Sequence, residues 1–409
     1  QMPRTIGQIA SSGLQPGGWL AEILEAGRAR DLVTRFVGLF GQHLDASVST
    51  RLASWASVDM RPHVERVIDR WWVHIKTLTN QRDRLREREK PLVALENPTD
   101  EDKDTLGRVV AELRYTASRI IRAKSQDTLG ALESLGLLPN YTLFDDTVTL
   151  EVNLWGPNDG YDPGDEQSKR FTSRAEEYTR PASIAIRELA PGNYFYVDAH
   201  RVRIDSVDNG TESEPAHATW RFCPSCAWAS ADVSTTVVTC PRCGSNGVAD
   251  QGAMLTVLPM RVVSSTERET SARVGDDSED REKEWHEVLT SVDIAPDDIT
   301  AAHLHAKIVF GVEAARAARI RYLNLGPHGS RSGQSRQVRI DGYDAPVSLF
   351  TVCRHCGGVY GIRGDTRDPE DSNHHRTWCK VRSGARKEQW DSLVLAHELV
   401  TEAVRILLP

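Results

Sequence analysis

The chain has 409 residues, with 50 Lys+Arg against 58 Asp+Glu and a net charge of −8. That length allows a large core and two or three domains, and the acidic balance excludes a protein that coats nucleic acid through its overall charge. No apolar run approaches the roughly eighteen residues of a membrane span, and no signal peptide opens the chain. Six of the seven cysteines lie in C-x-x-C pairs and the seventh, Cys379, follows a histidine pair by four residues. That usage is expected of a reduced, metal-binding protein in the cytoplasm.

Residues 1–60 carry punctuation at Gly13, Pro16, Gly17 and Gly18, then a helical pattern over 20–44. Beyond Pro62 the apolar positions Val64, Val67, Ile68, Trp71, Trp72, Ile75 and Leu78 recur every three or four residues, which predicts a long amphipathic helix. The chain turns between Pro91 and Pro98, and Thr99 is the expected N-cap of a second helix bearing Leu106, Val109, Val110, Leu113, Ala117, Ile120 and Ile121. Two such helices with a short connection predict an antiparallel hairpin. Trp71 and Trp72 are read as core rather than as a stacking platform for nucleic acid. A third short helix is expected over 126–135.

Periodicity then changes to two at Val148, Leu150, Val152 and Leu154, the mark of a strand. A loop rich in Gly, Asp and Ser follows to about residue 173. Residues 180–207 predict a short helix, a Pro191-Gly192 turn and a hairpin.

Residues 221–244 hold Cys223-x-x-Cys226 and Cys240-x-x-Cys243, separated by thirteen residues that suit two short strands. Four thiolates on two tight knuckles make a tetrahedral Zn²⁺ site, a zinc ribbon. Pro224 and Pro241 pre-set the turns and Gly244 can take positive φ, whereas Ala227 stands where glycine would be preferred. The alternatives are a disulfide pair or a redox site. Redox C-x-x-C is normally single and set in a βαβ pattern, which the sequence lacks.

Residues 276–298 hold ten acids against two bases and read as a solvated, flexible face. Residues 316–339 reverse the sign, with Arg316, Arg319, Arg321, Arg331, Arg336 and Arg339, no acid, and glycines that make part of the stretch a flexible basic loop. A second metal constellation follows: Cys353-x-x-Cys356, then His374, His375 and Cys379. His375 lies four residues before Cys379, so a Cys3His zinc site is expected, with the choice between His374 and His375 open. Arg376, Lys380 and Arg382 extend the basic surface. These two basic segments are the candidate DNA contacts, the alternative being that their arginines pair with the acidic run. The last segment is expected to be a helix with His397, Glu398, Thr401 and Glu402 among Leu and Val.

The expected fold is therefore α+β: an N-terminal helical hairpin or bundle, then small antiparallel β elements carrying a zinc ribbon and a second Cys3His site. The expected domains are a helical 1–135, a β-rich 136–260 with the ribbon, and a second zinc-binding domain, 261–409, ending in a helix.

Four stretches carry a resemblance: L-L-P-N-Y-T-L-F at 137–144, R-E-L-A-P-G-N-Y-F-Y-V at 187–197, Cys353, Cys356 and Cys379 with H-R-T-W-C, and A-H-E-L-V-T-E at 396–402. Together they resemble the zinc-binding C-terminal region behind the motor in bacterial superfamily 2 DNA helicases of the mitomycin-repair and DISARM anti-phage type. The resemblance spans roughly residues 130–409 and implies a DNA-translocating ATPase as parent. Residues 1–125 carry no such motif. The sequence has no G-x-x-x-x-G-K-[ST] and no Walker-B strand, so no ATP site is assigned to this chain. No Ser/His/Asp or Cys/His catalytic pattern and no nuclease-like carboxylate cluster is found. In the resembling proteins the last helix continues into further strands, so the chain is expected to be a piece of a longer or split polypeptide. The expected function is a non-catalytic accessory region with two zinc ions per chain. It would bind DNA or a partner beside a motor in the same or another chain. The alternative is a free-standing interaction subunit of a defence complex that does not touch DNA.

Overall fold

The computed structural model describes residues 28–40, 45–135, 137, 146–162, 164–165, 169–211, 214–231, 237–274, 286–306, 310–327, 336–361, 375–381 and 390–407. The chain forms two compact units: Gln1–Glu87 with Leu113–Leu143, and Arg88–Glu112 with Phe144–Pro409.

The described part of the first unit is helical. α1 (Arg28–Phe40) and α2 (Ala46–Ser54) precede a π-helical turn, Trp55–Asp59, that leads into α3 (Met60–Val93). α4 (Asp100–Ser125) and α5 (Thr128–Ser134) complete the helices here, and α3 and α4 each have residues in both units. Asp45 and Asp127 cap α2 and α5 by accepting from Ser47 N and Gly130 N, both at 2.9 Å. The predicted apolar stripe of α3 is buried. Trp71 and Ile75 enclose Ala131 of α5, with Trp72, Ala123 and Leu135 packed around them. Trp71 meets Trp72 edge to face at 5.0 Å, as core aromatics do.

In the second unit Thr99 and Asp102 form a reciprocal capping box at the start of α4. Asp102 N donates to Thr99 Oγ1 at 3.2 Å and Thr99 N donates to Asp102 Oδ2 at 2.9 Å. The strands follow as β1 (Thr147–Pro157) and β2 (Phe171–Pro181), then α6 (Ala182–Glu188) and the hairpin β3 (Tyr194–Val197) and β4 (His200–Arg203). Short strands β5 (Ser206–Val207), β6 (Ala218–Phe222) and β7 (Ala229–Ser230) lead to β8 (Met254–Pro259), β9 (Val262–Arg268) and α7 (Glu269–Ala272). Then come β10 (His286–Ile294), β11 (Ile299–Leu304) and β12 (Gly311–Pro327). β13 (Arg336–Ile340), β14 (Tyr343–Val347), β15 (Phe350–Cys353) and β16 (Trp390–Leu407) complete the order.

One sheet runs β2-β1-β9-β5. An eight-stranded sheet runs β10-β12-β16-β8-β6-β7, with β11 on β12 and β15 on β16. The mixed α+β class stands, but the β elements are neither all small nor all antiparallel, since β1 pairs β9 and β16 pairs β8 in parallel. That second pairing also puts the segments 136–260 and 261–409 into one sheet.

The expected last helix is the eighteen-residue strand β16. Leu393 and Leu395 enter a core with Leu150, Ile186 and Val352, while Val394 and Ala396 enter another with Val257, Leu323 and Val338. A strand buried on both faces reads as a continuous apolar run, which local pattern does not separate from a helix. The acidic stretch is also corrected in part. Its described portion is β10, a paired strand, and the 3-10 turn Pro296–Asp298, while 276–285 lies outside the described residues.

His286 on β10 stacks on Phe350 at 5.7 Å, and neither ring nitrogen has a hydrogen-bond partner. Burial lowers its pKa to about 4, well below the ordinary value. With the folded pKa depressed, this residue's contribution is complete above the unfolded value near 6.5 and is lost as pH falls toward 4. Denaturant titrations between those pH values should show stability falling by up to about 1.4 kcal/mol per pH unit from this group. His286→Phe should flatten the slope while leaving stability at pH 7 nearly unchanged.

Candidate metal centres

The four cysteines of residues 223–243 converge. Cys223 and Cys226 form one knuckle after β6, Cys240 and Cys243 the other, and all four sulfurs lie within 4.8 Å of one another. Sγ of Cys223 lies 3.6 Å from Sγ of Cys243, and that of Cys226 3.7 Å from that of Cys240. Four Zn–S bonds of about 2.3 Å at tetrahedral angles put sulfurs about 3.8 Å apart, whereas a disulfide needs about 2.0 Å. The spacing therefore suits a metal and not a cystine.

The knuckles carry the supporting backbone. Ser225 N and Arg242 N point at Cys223 Sγ and Cys240 Sγ, each at 3.4 Å. Gly244, at φ 74°, donates its N–H to Cys240 O at 2.9 Å, as its place in the turn predicts. Ala227 does not adopt positive φ. Its carbonyl instead accepts from Arg321 Nη1 at 2.9 Å.

Cys353, Cys356, His375 and Cys379 form the second cluster, all four buried. Cys353 Sγ lies 3.9 Å from Cys379 Sγ, and His375 Nδ1 lies 3.6 Å from both Cys356 Sγ and Cys379 Sγ. Zn–S and Zn–N bonds of about 2.3 and 2.1 Å give an S···N edge of about 3.6 Å. His375 occupies the fourth corner, and His374 lies outside the described residues. Trp390 packs on the imidazole with centroids 4.8 Å apart. Burial pushes the Cys356 thiol well above its ordinary pKa, and it raises that of Cys226 too. A divalent cation that binds thiolates removes that penalty, so both donor sets are compatible with zinc.

The first cluster is tied to the eight-stranded sheet and the second to the four-stranded sheet and α4. Arg242, inside the second knuckle, reaches Asp293 of β10 at 3.1 Å. Asp293 also faces Arg321 of β12 at 3.6 Å, and Arg321 Nε donates to Glu398 of β16 at 2.8 Å. At the second cluster, Arg376 Nη2 donates to Asp205 Oδ1 at 2.8 Å, to Ser206 Oγ at 2.6 Å and to Ser264 Oγ at 2.8 Å. Thr377 N donates to Glu112 at 3.1 Å.

These contacts reassign some of the expected DNA-binding residues. Arg321 is only 2% exposed, so its guanidinium cannot lie against a phosphate backbone and is a structural cation. Arg376 is similarly enclosed, with 12% of its side chain exposed. Arg316 pairs with Asp298 at 3.0 Å, Arg319 with Glu398 at 3.4 Å and Arg339 with Asp344 at 3.9 Å, all with exposed guanidiniums. Lys380 is exposed beside Cys379. Arg331 and Arg382 lie outside the described residues, as does the side chain of Arg336. The alternative that these arginines pair with the acidic run is seen for Arg321 with Asp293 and for Arg316 with Asp298, whereas sequence reasoning missed Glu398, which looks like a solvated acid until strand pairing places it on Arg321.

No helix among the described residues is long and apolar enough to cross a membrane. No known family, curated protein or solved structure matches the chain.

Elemental analysis of purified protein should find two zinc ions per chain, falling to one in Cys240→Ser, with strong chelation unfolding at least the ribbon. A backbone test is available at Gly357, which has φ 69° and donates to Cys353 O, while its own carbonyl accepts from Val207 N at 3.0 Å. A methyl group there would sit 1.8 Å from Val207 O. Gly357→Ala should cost at least about 2 kcal/mol and weaken the second site. Gly342→Ala, at a similar φ but in open space, should cost about 1 kcal/mol in the same denaturation experiment.

Proposed function

We propose that this chain is a non-catalytic, zinc-stabilised accessory region of an ATP-dependent DNA helicase or translocase, binding DNA or a partner beside the motor in cytoplasmic anti-phage defence or DNA repair. Each cluster holds one zinc ion. Four protein ligands fill each tetrahedron and leave no position for water, so the metals act as staples rather than as hydrolytic centres. The N-terminal helices form a hairpin or bundle.

One observation carries this reading. Three of the four stretches that resemble the helicase-associated region fall where the second unit is knitted together, while 138–144 lies outside the described residues. Within R-E-L-A-P-G-N, Asn193 Nδ2 donates to Arg187 O at 2.6 Å and closes the turn after α6. The Arg and Thr of H-R-T-W-C bind Asp205 and Glu112. In A-H-E-L-V-T-E, Glu398 holds Arg321. Residues that bear such specific contacts would be retained together by a shared fold, which supports the resemblance across 187–402.

A second reading, a protein-interaction subunit that does not bind DNA, is favoured by the intramolecular ion pairs of Arg316, Arg319 and Arg339. Fluorescence anisotropy with labelled DNA separates the two. In the first reading about three to six phosphates are neutralised, so affinity should fall at least about 40-fold between about 50 and about 200 mM salt with little dependence on base sequence. Arg331→Glu, Arg336→Glu and Arg339→Glu together should abolish most of the binding at low salt. Unchanged affinity in that variant, or no binding by the native chain, gives preference to the second reading. In either case ATP turnover attributable to a residue of this chain is expected to be absent.

A further inference from the structure

The second unit contains a cavity of about 560 Å³ that no zinc ligand lines, although Thr377, between His375 and Cys379, is part of its wall. The β3-β4 hairpin, β9, α7 and the first turns of α4 form its walls. Four guanidiniums, those of Arg108, Arg201, Arg203 and Arg268, face three carboxylates, those of Glu101, Asp104 and Glu267. We propose that this cavity binds a nucleotide, held by its phosphate on the hairpin arginines.

The hairpin register explains the phosphate end. Tyr194 pairs with Arg203 and Tyr196 with Arg201, so both arginines stand on one face of β4 beside the Tyr194 ring. Arg201 lies 4.5 Å and Arg203 5.2 Å from that ring's centroid. The stacking fixes the two guanidinium planes in advance, which lowers the entropy lost when an anion is gripped. Among the described residues no carboxylate pairs with Arg201, unlike Arg268, which is joined to Asp104 at 2.9 Å. A cation fixed in place within a concave pocket, its charge unanswered, is suited to an anionic ligand.

Size and polarity decide the rest of the ligand. The volume lies in the range of small-molecule sites and is several times that of an inorganic phosphate. The three carboxylates would repel a second anionic group but accept hydrogen bonds from sugar hydroxyls or exocyclic amines. Thr266 and Ser271 add hydroxyls to the same wall. The outer plane of a guanidinium stacked on tyrosine is itself a surface on which a base can lie. One phosphate, a polar sugar and a flat base together satisfy these walls. The nucleotide is either free or the 5′-terminal residue of a strand, and the phosphate chemistry is the same in both cases.

The inference does not rest on the helicase reading, and its test is separate. Isothermal titration of the zinc-loaded chain would use adenosine and cytidine 5′-monophosphate, adenosine, inorganic phosphate, and a short oligonucleotide with and without a 5′-phosphate. At least one monophosphate should bind, and adenosine and phosphate should each bind at least about tenfold more weakly. Arg201→Gln should weaken the monophosphate at least about tenfold without moving the thermal midpoint, and Arg201→Lys should recover part of the loss. Competition by the 5′-phosphorylated oligonucleotide but not by its unphosphorylated form identifies a strand end as the source, and competition by neither identifies the free nucleotide. Absence of monophosphate binding at millimolar concentration overturns the proposal. So does equal affinity for inorganic phosphate, or binding that Arg201→Gln leaves unchanged.

Discussion

Backbone pairing along Trp390–Leu407 is the constraint on which the rest of the second unit depends. This strand pairs with Gly311–Pro327 over most of its length, with Met254–Pro259 in parallel at residues 394–396, and with Phe350–Cys353 at 390–393. Through Met254–Pro259 it reaches Ala218–Phe222, which runs directly into Cys223. Through Phe350–Cys353 it places Cys353 opposite Trp390, whose ring covers His375. Both metal clusters therefore hang from one strand. Because its two faces enter two different cores, a register slip of one residue would exchange the contents of both.

Electrostatics secures what the strand begins. Asp293 accepts charge from Arg242 in a cysteine knuckle and from Arg321 in the sheet, and Glu398 completes the set from the central strand. Buried ions are expensive to desolvate, so an array of this kind contributes less to net stability than to uniqueness of arrangement, holding the ribbon in one orientation on the sheet. A zinc ion held by the four cysteines would fix the sulfurs of the two knuckles, and the ion cluster fixes their backbone relative to the strands.

This arrangement changes the meaning of the chain's basic residues. Among the described residues of the acid-free runs, Arg316, Arg319, Arg321, Arg339 and Arg376 each have an acid from another part of the chain beside them. In the hairpin of Tyr194–Arg203, by contrast, Arg201 and Arg203 share a strand face and a tyrosine ring at the edge of a cavity, and among the described residues no carboxylate pairs with Arg201. Local charge density along the chain is a poor guide to where unneutralised charge lies in the fold, because strand pairing sets neighbours that sequence distance does not.

The sequence by itself determined the features whose cause is local. Cysteine spacing alone located the knuckles, since a C-x-x-C turn is set by its own four residues and the next one, glycine at Gly244 and Gly357 but alanine at Ala227. The three- and four-residue repeat from Val64 to Leu78 marked a helix with a buried stripe, and Thr99 with Asp102 marked the next helix start. The Pro191-Gly192 turn between a short helix and a hairpin was legible for the same reason. Only the tertiary structure decided that residues 390–407 are a strand, because L-V-L-A suits a helix face and a doubly buried strand equally until the neighbours on both sides are known. It alone decided that His375 can close the second tetrahedron with cysteines about twenty residues away, that Arg321 is enclosed, and that Arg201 is not paired with an acid. Each of these depends on which strands lie side by side, a long-range choice that no window of the sequence contains.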